Sequence, residues 1–192
     1  MAAKLITPPA VEPVTSAEML TKLGLQSGDV SSTDLSMLIT SARLWCENFT
    51  ERAFIMQTWE VRLDSFPSDI KCVMPPVQSI TSLKYIDTDG AEQTIDAADY
   101  VLDNFASPGW VLPTYDTSWP DTRAVANAVR LQIVCGYGDA GSDVPEPIRH
   151  AIVLIAGMSL RGQSGQEASL YPASIPNAAK ELLHPYRMMR GC

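Results

Sequence analysis

Residues 31–64, SSTDLSMLITSARLWCENFTERAFIMQTWEVRLD, contain a change of hydrophobic period that decides the fold class. In the first part, apolar side chains recur at steps of three and four, which is typical of one face of a helix of about five turns; they are Leu35, Leu38, Ile39, Ala42, Trp45, Cys46 and Phe49. In the last part, Trp59, Val61 and Leu63 alternate with charged residues, as in a half-buried strand. The sequence therefore predicts a helix followed by a strand.

The same helix also has a polar side, and a shorter helix precedes it. Five polar residues are expected on the exposed side: Ser36, Thr40, Arg43, Glu47 and Asn48. Upstream, Thr15 and Glu18 fit a capping box, which predicts a helix that ends at Gly24. Residues 1–14 contain several prolines and little periodicity, so we expect an extended arm there.

Residues 54–141 have the pattern of an antiparallel β block. Beyond the strand at 59–63, alternation and turn residues predict strands at 70–73, 79–86, 93–95, 100–102, 110–112 and 129–135. Asp89-Gly90 predicts a hairpin turn. The stretch 113–122 is predicted to be an ordered loop held by Tyr115 and Trp119, with Trp110 nearby. These aromatic residues either anchor an interface or fold back over the core of the β block.

A helix over 146–160 is apolar on nearly every side. Because so small a chain has few elements to cover such a helix, we expect a neighbouring subunit to cover part of it. The residues predicted for this subunit interface are Ile148, Ile152, Val153, Leu154 and Met158. A polar loop follows at 162–168, then a short helix that ends at Leu183, and then a basic and apolar tail over 186–192.

Together these patterns predict an α+β fold, in which two N-terminal and two C-terminal helices form a scaffold with an inserted antiparallel β block. The expected boundaries are 1–53 for the arm and first helices, 54–141 for the β domain, and 142–192 for the last helices and the tail. The two helical parts are expected to pack as one domain.

Composition excludes several classes of protein. The chain of 192 residues has a formal net charge of −8 and no basic block, which argues against a protein that grips nucleic-acid phosphates. Its longest apolar run, at 151–160, is about half the length needed to span a membrane, and the N-terminus lacks the pattern of a secretory signal. The cysteines, Cys46, Cys72, Cys135 and Cys192, are far apart and are expected to be mostly buried, free thiols in a reducing cytoplasm.

Motifs for catalysis, metals or cofactors are weak, so we predict no enzymatic activity, no cofactor and no metal. His150 and His184 are interpreted as structural residues, and Ser164 lacks the glycine at 166 that a nucleophile elbow requires. Asp87-Thr88-Asp89-Gly90 resembles the start of a calcium loop, but Ala98 occupies the position of the bidentate acid. The Gly136–Gly141 stretch lacks the order of a dinucleotide-binding or Walker motif.

Several segments together resemble the head–tail connector, or adaptor, proteins of tailed bacteriophages, in the branch with a β insertion between the helices. They are VTSAEMLTKLGL (14–25), SARLWCENFTERAFIMQTWEVRLDSFP (41–67), PPVQSITSLKYIDTDGAEQTIDAADYVL (75–102), VRLQIVCGYGDAGSDVPEPIRHAIVLIAG (129–157) and LLHPYR (182–187). The resemblance lies in the order and spacing of these segments, since no single motif decides it. One departure is GMSLRGQSGQEA (157–168), which replaces an aromatic-rich stretch.

The resemblance implies a structural protein of the virion neck, made in the host cytoplasm. Such proteins form a ring with copies of themselves, usually twelve, beneath the portal, where the ring extends the DNA channel, helps retain DNA and provides a platform for the next neck or tail protein. An acidic channel wall would let DNA pass without binding it. The tail would contact the portal through Tyr186, Arg187, Met188, Met189 and Arg190. An alternative is a tail terminator or a channel stopper of the same neck region.

Overall fold

The computed structural model describes residues 1–163 and 175–188 and confirms the α+β class. The chain forms two compact units, one comprising Met1–Ala10 and Met56–Tyr137, and the other comprising Val11–Ile55 and Gly138–Cys192. The first is the β unit and the second is the helical unit. Each unit is thus built from two separate segments of the chain, and the larger segment of the β unit, Met56–Tyr137, lies in sequence between the two segments of the helical unit.

The β unit contains two antiparallel sheets. Strands β1 (Ala2–Thr7), β2 (Gln57–Leu63), β4 (Val77–Ile86), β5 (Glu92–Thr94) and β8 (Val129–Cys135) form a five-stranded sheet in the order β1-β2-β8-β4-β5, whereas β3 (Ile70–Lys71), β6 (Tyr100–Asp103) and β7 (Trp110–Pro113) form a three-stranded sheet in the order β3-β7-β6. The predicted strands therefore exist, with shifts of one or two residues at their ends.

The N-terminal residues differ from the expected arm. Strand β1 pairs along β2, from Ala2 opposite Arg62 to Thr7 opposite Thr58, and it forms one edge of the large sheet. The sequence of β1, AAKLIT, shows no alternation of apolar and polar residues, because an edge strand buries little of either face; five of its six residues are exposed. The first ten residues accordingly belong to the β unit.

Strand β8 lies at the centre of the large sheet and shows the predicted alternation. Its residues Val129, Leu131, Ile133 and Cys135 are buried, and the residues between them are half-buried. On the other face, Glu60 of β2 accepts hydrogen bonds from Arg62 Nε (2.7 Å) and from Gln132 Nε2 (3.0 Å). The Gln132 bond is the largest cause that lowers the pKa of Glu60.

Turns in the β unit follow local hydrogen bonding. Between β4 and β5, the Asp87 carboxylate accepts hydrogen bonds from Ala91 N (2.9 Å) and Gln93 Nε2 (2.8 Å), so its oxygens serve the predicted hairpin. In the 113–122 loop, Trp119 stacks on Phe66 with ring centroids 4.9 Å apart. Tyr115 is 95% exposed, so the expectation that it holds this loop is wrong.

The helical unit contains α1 (Ser16–Leu23), α2 (Ser32–Thr50), α3 (Glu146–Gln163) and α4 (Asn177–Leu183), followed by a 3-10 turn at His184–Tyr186. Thr15 and Glu18 form the predicted capping box, and Gly24 ends α1 in a left-handed conformation with φ of 68°. Helix α3 packs against α2, α4 and α1. No helix within 1–163 or 175–188 is long and apolar enough to cross a membrane.

The faces of α2 differ in part from the prediction. Leu35, Ile39, Ala42 and Cys46 are buried as expected, whereas Trp45 and Phe49 are half-buried and stack on each other with ring centroids 5.0 Å apart. Two residues of the expected polar side, Arg43 and Glu47, are buried instead. The buried face of α2 therefore includes two charged side chains, Arg43 and Glu47, which form an ion pair described below.

Candidate functional site

The five residues predicted for a subunit interface on α3 have different surroundings. Ile148 and Ile152 are fully buried and Val153 is nearly so, because the chain's own helices pack around this part of α3. The chain's own helices therefore already cover these three positions, and their part in a subunit interface stays a prediction. Leu154 and Met158 remain half-buried, and for these two the interface stays a prediction.

Leu154 and Met158 line a groove of about 530 Å³ on the helical unit. The groove is mostly apolar; among the described residues its lining is Lys22, Leu23, His150, Val153, Leu154, Gly157, Met158 and Pro176, of which Lys22 and His150 have polar side chains. A Cβ atom built on Gly157 would lie 2.8 Å from Leu23 Cδ2, so glycine lets α1 and α3 approach closely here. The groove is an open apolar site of the size that accommodates a side chain or a small molecule.

The C-terminal tail returns to the end of α2. Arg52 Nε donates a hydrogen bond to the carbonyl oxygen of Tyr186 (2.5 Å), and Met188 N donates one to the carbonyl oxygen of Thr50 (3.0 Å). The Arg187 guanidinium lies over the Phe49 ring, 5.2 Å from its centroid, in a cation–π contact. Three of the five residues predicted to contact a portal thus have a structural role, while Met189 and Arg190 lie outside the described residues.

Arg149 connects three parts of the helical unit and was not singled out by the sequence pattern. Its Nε donates to the carbonyl oxygen of Pro13 (3.0 Å), Nη2 to Glu18 (2.6 Å) and Nη1 to Glu146 (2.8 Å). Lys22 forms a second ion pair with Glu146 at 2.9 Å. The N-terminal segment, α1 and the start of α3 are therefore held together at one guanidinium.

The protonation of Glu18 makes the stability of this cluster depend on pH. Its pKa is lowered chiefly because Thr15 N donates a hydrogen bond to the carboxylate, with further contributions from the Thr15 hydroxyl and Arg149. A lowered pKa in the folded state means that the carboxylate stabilises the fold above the unfolded pKa of about 4.5 and loses that contribution as the pH falls.

We expect Glu18→Gln to lower the free energy of unfolding at neutral pH. We also expect the free energy of unfolding to fall less when the pH is lowered from about 7 to about 3.5. Urea unfolding at about pH 7 and about pH 3.5 measures both effects. The matched control is Glu181→Gln, which changes an exposed carboxylate of α4. An acid dependence as steep in Glu18→Gln as in the unchanged chain would contradict this role.

Arg43 occupies the centre of a second, more deeply buried network. Its Nε donates to Glu12 (2.7 Å), and its Nη1 donates to Glu47 (2.6 Å), whose other oxygen accepts the backbone N–H of Phe54 (3.0 Å). Thr40 Oγ1 also donates to Glu12 (2.8 Å). The spacing of four residues between Arg43 and Glu47 was the available sequence signal, but the pair's burial was not predictable from it.

The features considered for catalysis or metal binding on sequence grounds are His150, His184, Ser164 and the Asp87–Gly90 turn. His150 lines the groove, His184 is exposed after α4, and Ser164 lies outside the described residues. Within the described part of the chain, no group of three or more His, Cys, Asp or Glu side chains could hold a metal ion. Cys46, Cys72 and Cys135 are buried free thiols, and burial raises the pKa of each to about 12, which disfavours the reactive thiolate.

The small sheet of the β unit presents exposed apolar residues, of which only Tyr115 was considered on sequence grounds as an interface anchor. Val101 and Leu112 are paired across β6 and β7, and both are exposed. Phe105, in the loop that joins these strands, is 100% exposed, and Tyr115 follows β7 by two residues. We call these four residues the hairpin patch.

Comparisons with known proteins give a structural match without a sequence-family match. No family model matches the chain, and no curated protein does. A chain in the virion of a native gene transfer agent particle is similar to it, with a TM-score of 0.79 at 19% identity, over 100% of this chain and 98% of that one. The two chains share a fold.

Two neck structures contain similar chains. One is from the neck of an empty gene transfer agent particle computed with C6 symmetry, with a TM-score of 0.79 at 19% identity. The other is from the neck of a native particle computed with C12 symmetry, with a TM-score of 0.72 at 18% identity. Each covers 100% of this chain and 98% of the neighbour's, so the likeness includes both the helical unit and the β unit.

Proposed function

We propose that this chain is a structural protein of the neck of a phage-like particle, where it serves as a head–tail adaptor without enzymatic activity. The observation that supports the proposal is the fold match over the full length to chains in gene transfer agent necks. Because 98% of each neighbour is also covered, the whole fold is matched, and not a common submodule. The location of these neighbours in the neck agrees with the resemblance of the sequence to head–tail connector proteins.

As an adaptor, the protein forms a homo-oligomeric ring around the DNA channel. The C6 and C12 symmetries of the neighbours' necks support a ring, with twelve copies as the expected number. The net charge of −8 supports a wall past which DNA moves, because an acidic surface does not bind phosphates by displacing their counterions. Of the five interface residues predicted on α3, Leu154 and Met158 keep accessible surface for contact with a neighbouring copy.

The proposed ring lies between the portal and the tail. The basic and apolar C-terminal tail binds the portal, and the opposite side of the ring provides the platform for the next neck or tail protein. Tyr186, Arg187 and Met188 position the start of that tail through their contacts with α2.

Deleting the gene in the particle-producing cell tests this function. We expect electron microscopy to show heads and tails that are made but not joined. Normal tailed particles would contradict an adaptor. Pull-down with isolated portal and with tail-tube protein distinguishes an adaptor from the alternative of a tail terminator or a channel stopper. An adaptor binds the portal, whereas a terminator binds the tail tube.

A further inference from the structure

The hairpin patch and the groove are two apolar surfaces on different units of the same chain. Phe105 and Tyr115, at 100% and 95% exposure, are the most exposed large hydrophobic residues in the described ranges 1–163 and 175–188. Aromatic side chains with this exposure are costly to leave in water and are frequent anchors of protein interfaces. The groove, in turn, leaves Leu154 and Met158 accessible on α3.

The charges of the two surfaces are complementary. Residues 96–121, which include the β6–β7 hairpin, carry five aspartates and no lysine or arginine; they are Asp96, Asp99, Asp103, Asp116 and Asp121. Within the described ranges, the groove lining carries Lys22 and His150 and no carboxylate, although Lys22 also pairs with Glu146. An acidic, aromatic hairpin and an apolar groove with basic side chains favour each other's approach.

We propose that the β6–β7 hairpin of one copy docks into the groove of the next copy and inserts Phe105 against Leu154 and Met158. This contact rests on the proposed ring. A ring requires a heterologous interface, in which each copy offers two different surfaces and uses each once. The volume of about 530 Å³ is within the roughly 300–1,000 Å³ of pockets that enclose a compact group.

The geometry of Phe105 suits insertion. Asp103 Oδ1 accepts the backbone N–H of Phe105 at 3.1 Å, which orders the loop beside the aromatic residue. A loop ordered before binding loses less conformational entropy when it docks. Since Phe105 has no contact area to lose within its own chain, its replacement tests binding without changing the core.

Two variants, each carrying one new exposed cysteine, are mixed together to provide the test. One full-length chain carries Phe105→Cys and the other, with a size tag, carries Met158→Cys; both carry Cys192→Ser, and the remaining three cysteines are buried. The mixture is assembled at high concentration, or on the isolated portal ring, and then oxidised. We expect a disulfide-linked pair of one tagged and one untagged chain, and none when Val125→Cys, another exposed site of the β unit, replaces Phe105→Cys.

Phe105→Asp gives an independent readout. We expect it to weaken self-association at least about tenfold, while the thermal unfolding curve stays unchanged. The matched control is Val125→Asp, which is expected to leave assembly unchanged.

The outcomes separate this contact from the proposed function. If native mass spectrometry shows rings but residues 105 and 158 do not cross-link, the docking proposal is overturned and the adaptor function stands. The same holds if the groove is filled by the chain's own segment 164–174, because that would block the cross-link. If no ring forms either alone or on the portal, both proposals fail.

Discussion

Replacing Arg43 by methionine is expected to lower the free energy of unfolding by about 3–5 kcal/mol. The guanidinium pairs with Glu12 and Glu47, and the side chains of Arg43 and Glu47 are only 7% and 5% exposed. Without the arginine, the Glu47 carboxylate stays buried but loses its contact with the Arg43 guanidinium, and its desolvation then has a large cost. Urea or guanidinium unfolding at neutral pH measures the loss.

Two further variants identify the cause of that loss. Adding Glu47→Gln to Arg43→Met removes the buried carboxylate charge but keeps an oxygen that can accept the Phe54 N–H, so we expect partial recovery of stability. Arg62→Met is the matched control, because Arg62 pairs with Glu60 while 43% exposed, and it is expected to cost no more than about 1 kcal/mol. Equal losses in Arg43→Met and Arg62→Met would show that burial of the pair is not the cause.

Deleting residues 189–192 is expected to reduce binding to the isolated portal at least tenfold, by roughly 1.4 kcal/mol or more, and to leave the free energy of unfolding unchanged. Under the proposed function, the basic and apolar end of the chain binds the portal. The contacts of Tyr186, Arg187 and Met188 with α2 are kept in this truncation. Portal pull-down and chemical unfolding of the same protein provide the two measurements.

A longer truncation distinguishes binding from folding. Deleting 186–192 also removes the acceptor for Arg52, the cation–π contact with Phe49 and the hydrogen bond to Thr50, so it should lower stability as well as binding. If the 189–192 deletion binds the portal as tightly as the full chain, the last four residues are not the contact.

Elements with a strong periodic signal were predictable from sequence. Strand β8 buries alternate side chains in a central position, and α1 has a capping box and a terminal glycine, so local chemistry and tertiary packing agree. The hairpin at Asp87 follows for the same reason, because its carboxylate satisfies the turn within seven residues of sequence. Agreement between local sequence and packing at such elements was enough to predict the fold class.

Features that depend on distant parts of the chain were not predictable. Strand β1 pairs with β2 more than fifty residues away, and its own exposed residues carry no alternation. The burial of Arg43 depends on Glu12, and Arg149 meets Pro13 and Glu18 across more than 130 residues. Likewise, α3 is covered by α1 and α2, which precede it in the sequence, and by α4, which follows it. The sequence pattern alone does not show that all three helices pack on α3.

A reconstruction of the neck of the intact particle tests the central claim most directly. The adaptor proposal predicts this fold, with its helical and β units, in a ring around the DNA channel directly beneath the portal, in twelve copies as in a neck of C12 symmetry. Density for this fold in the capsid shell or along the tail tube, or intact particles in which it is absent, would contradict the proposal.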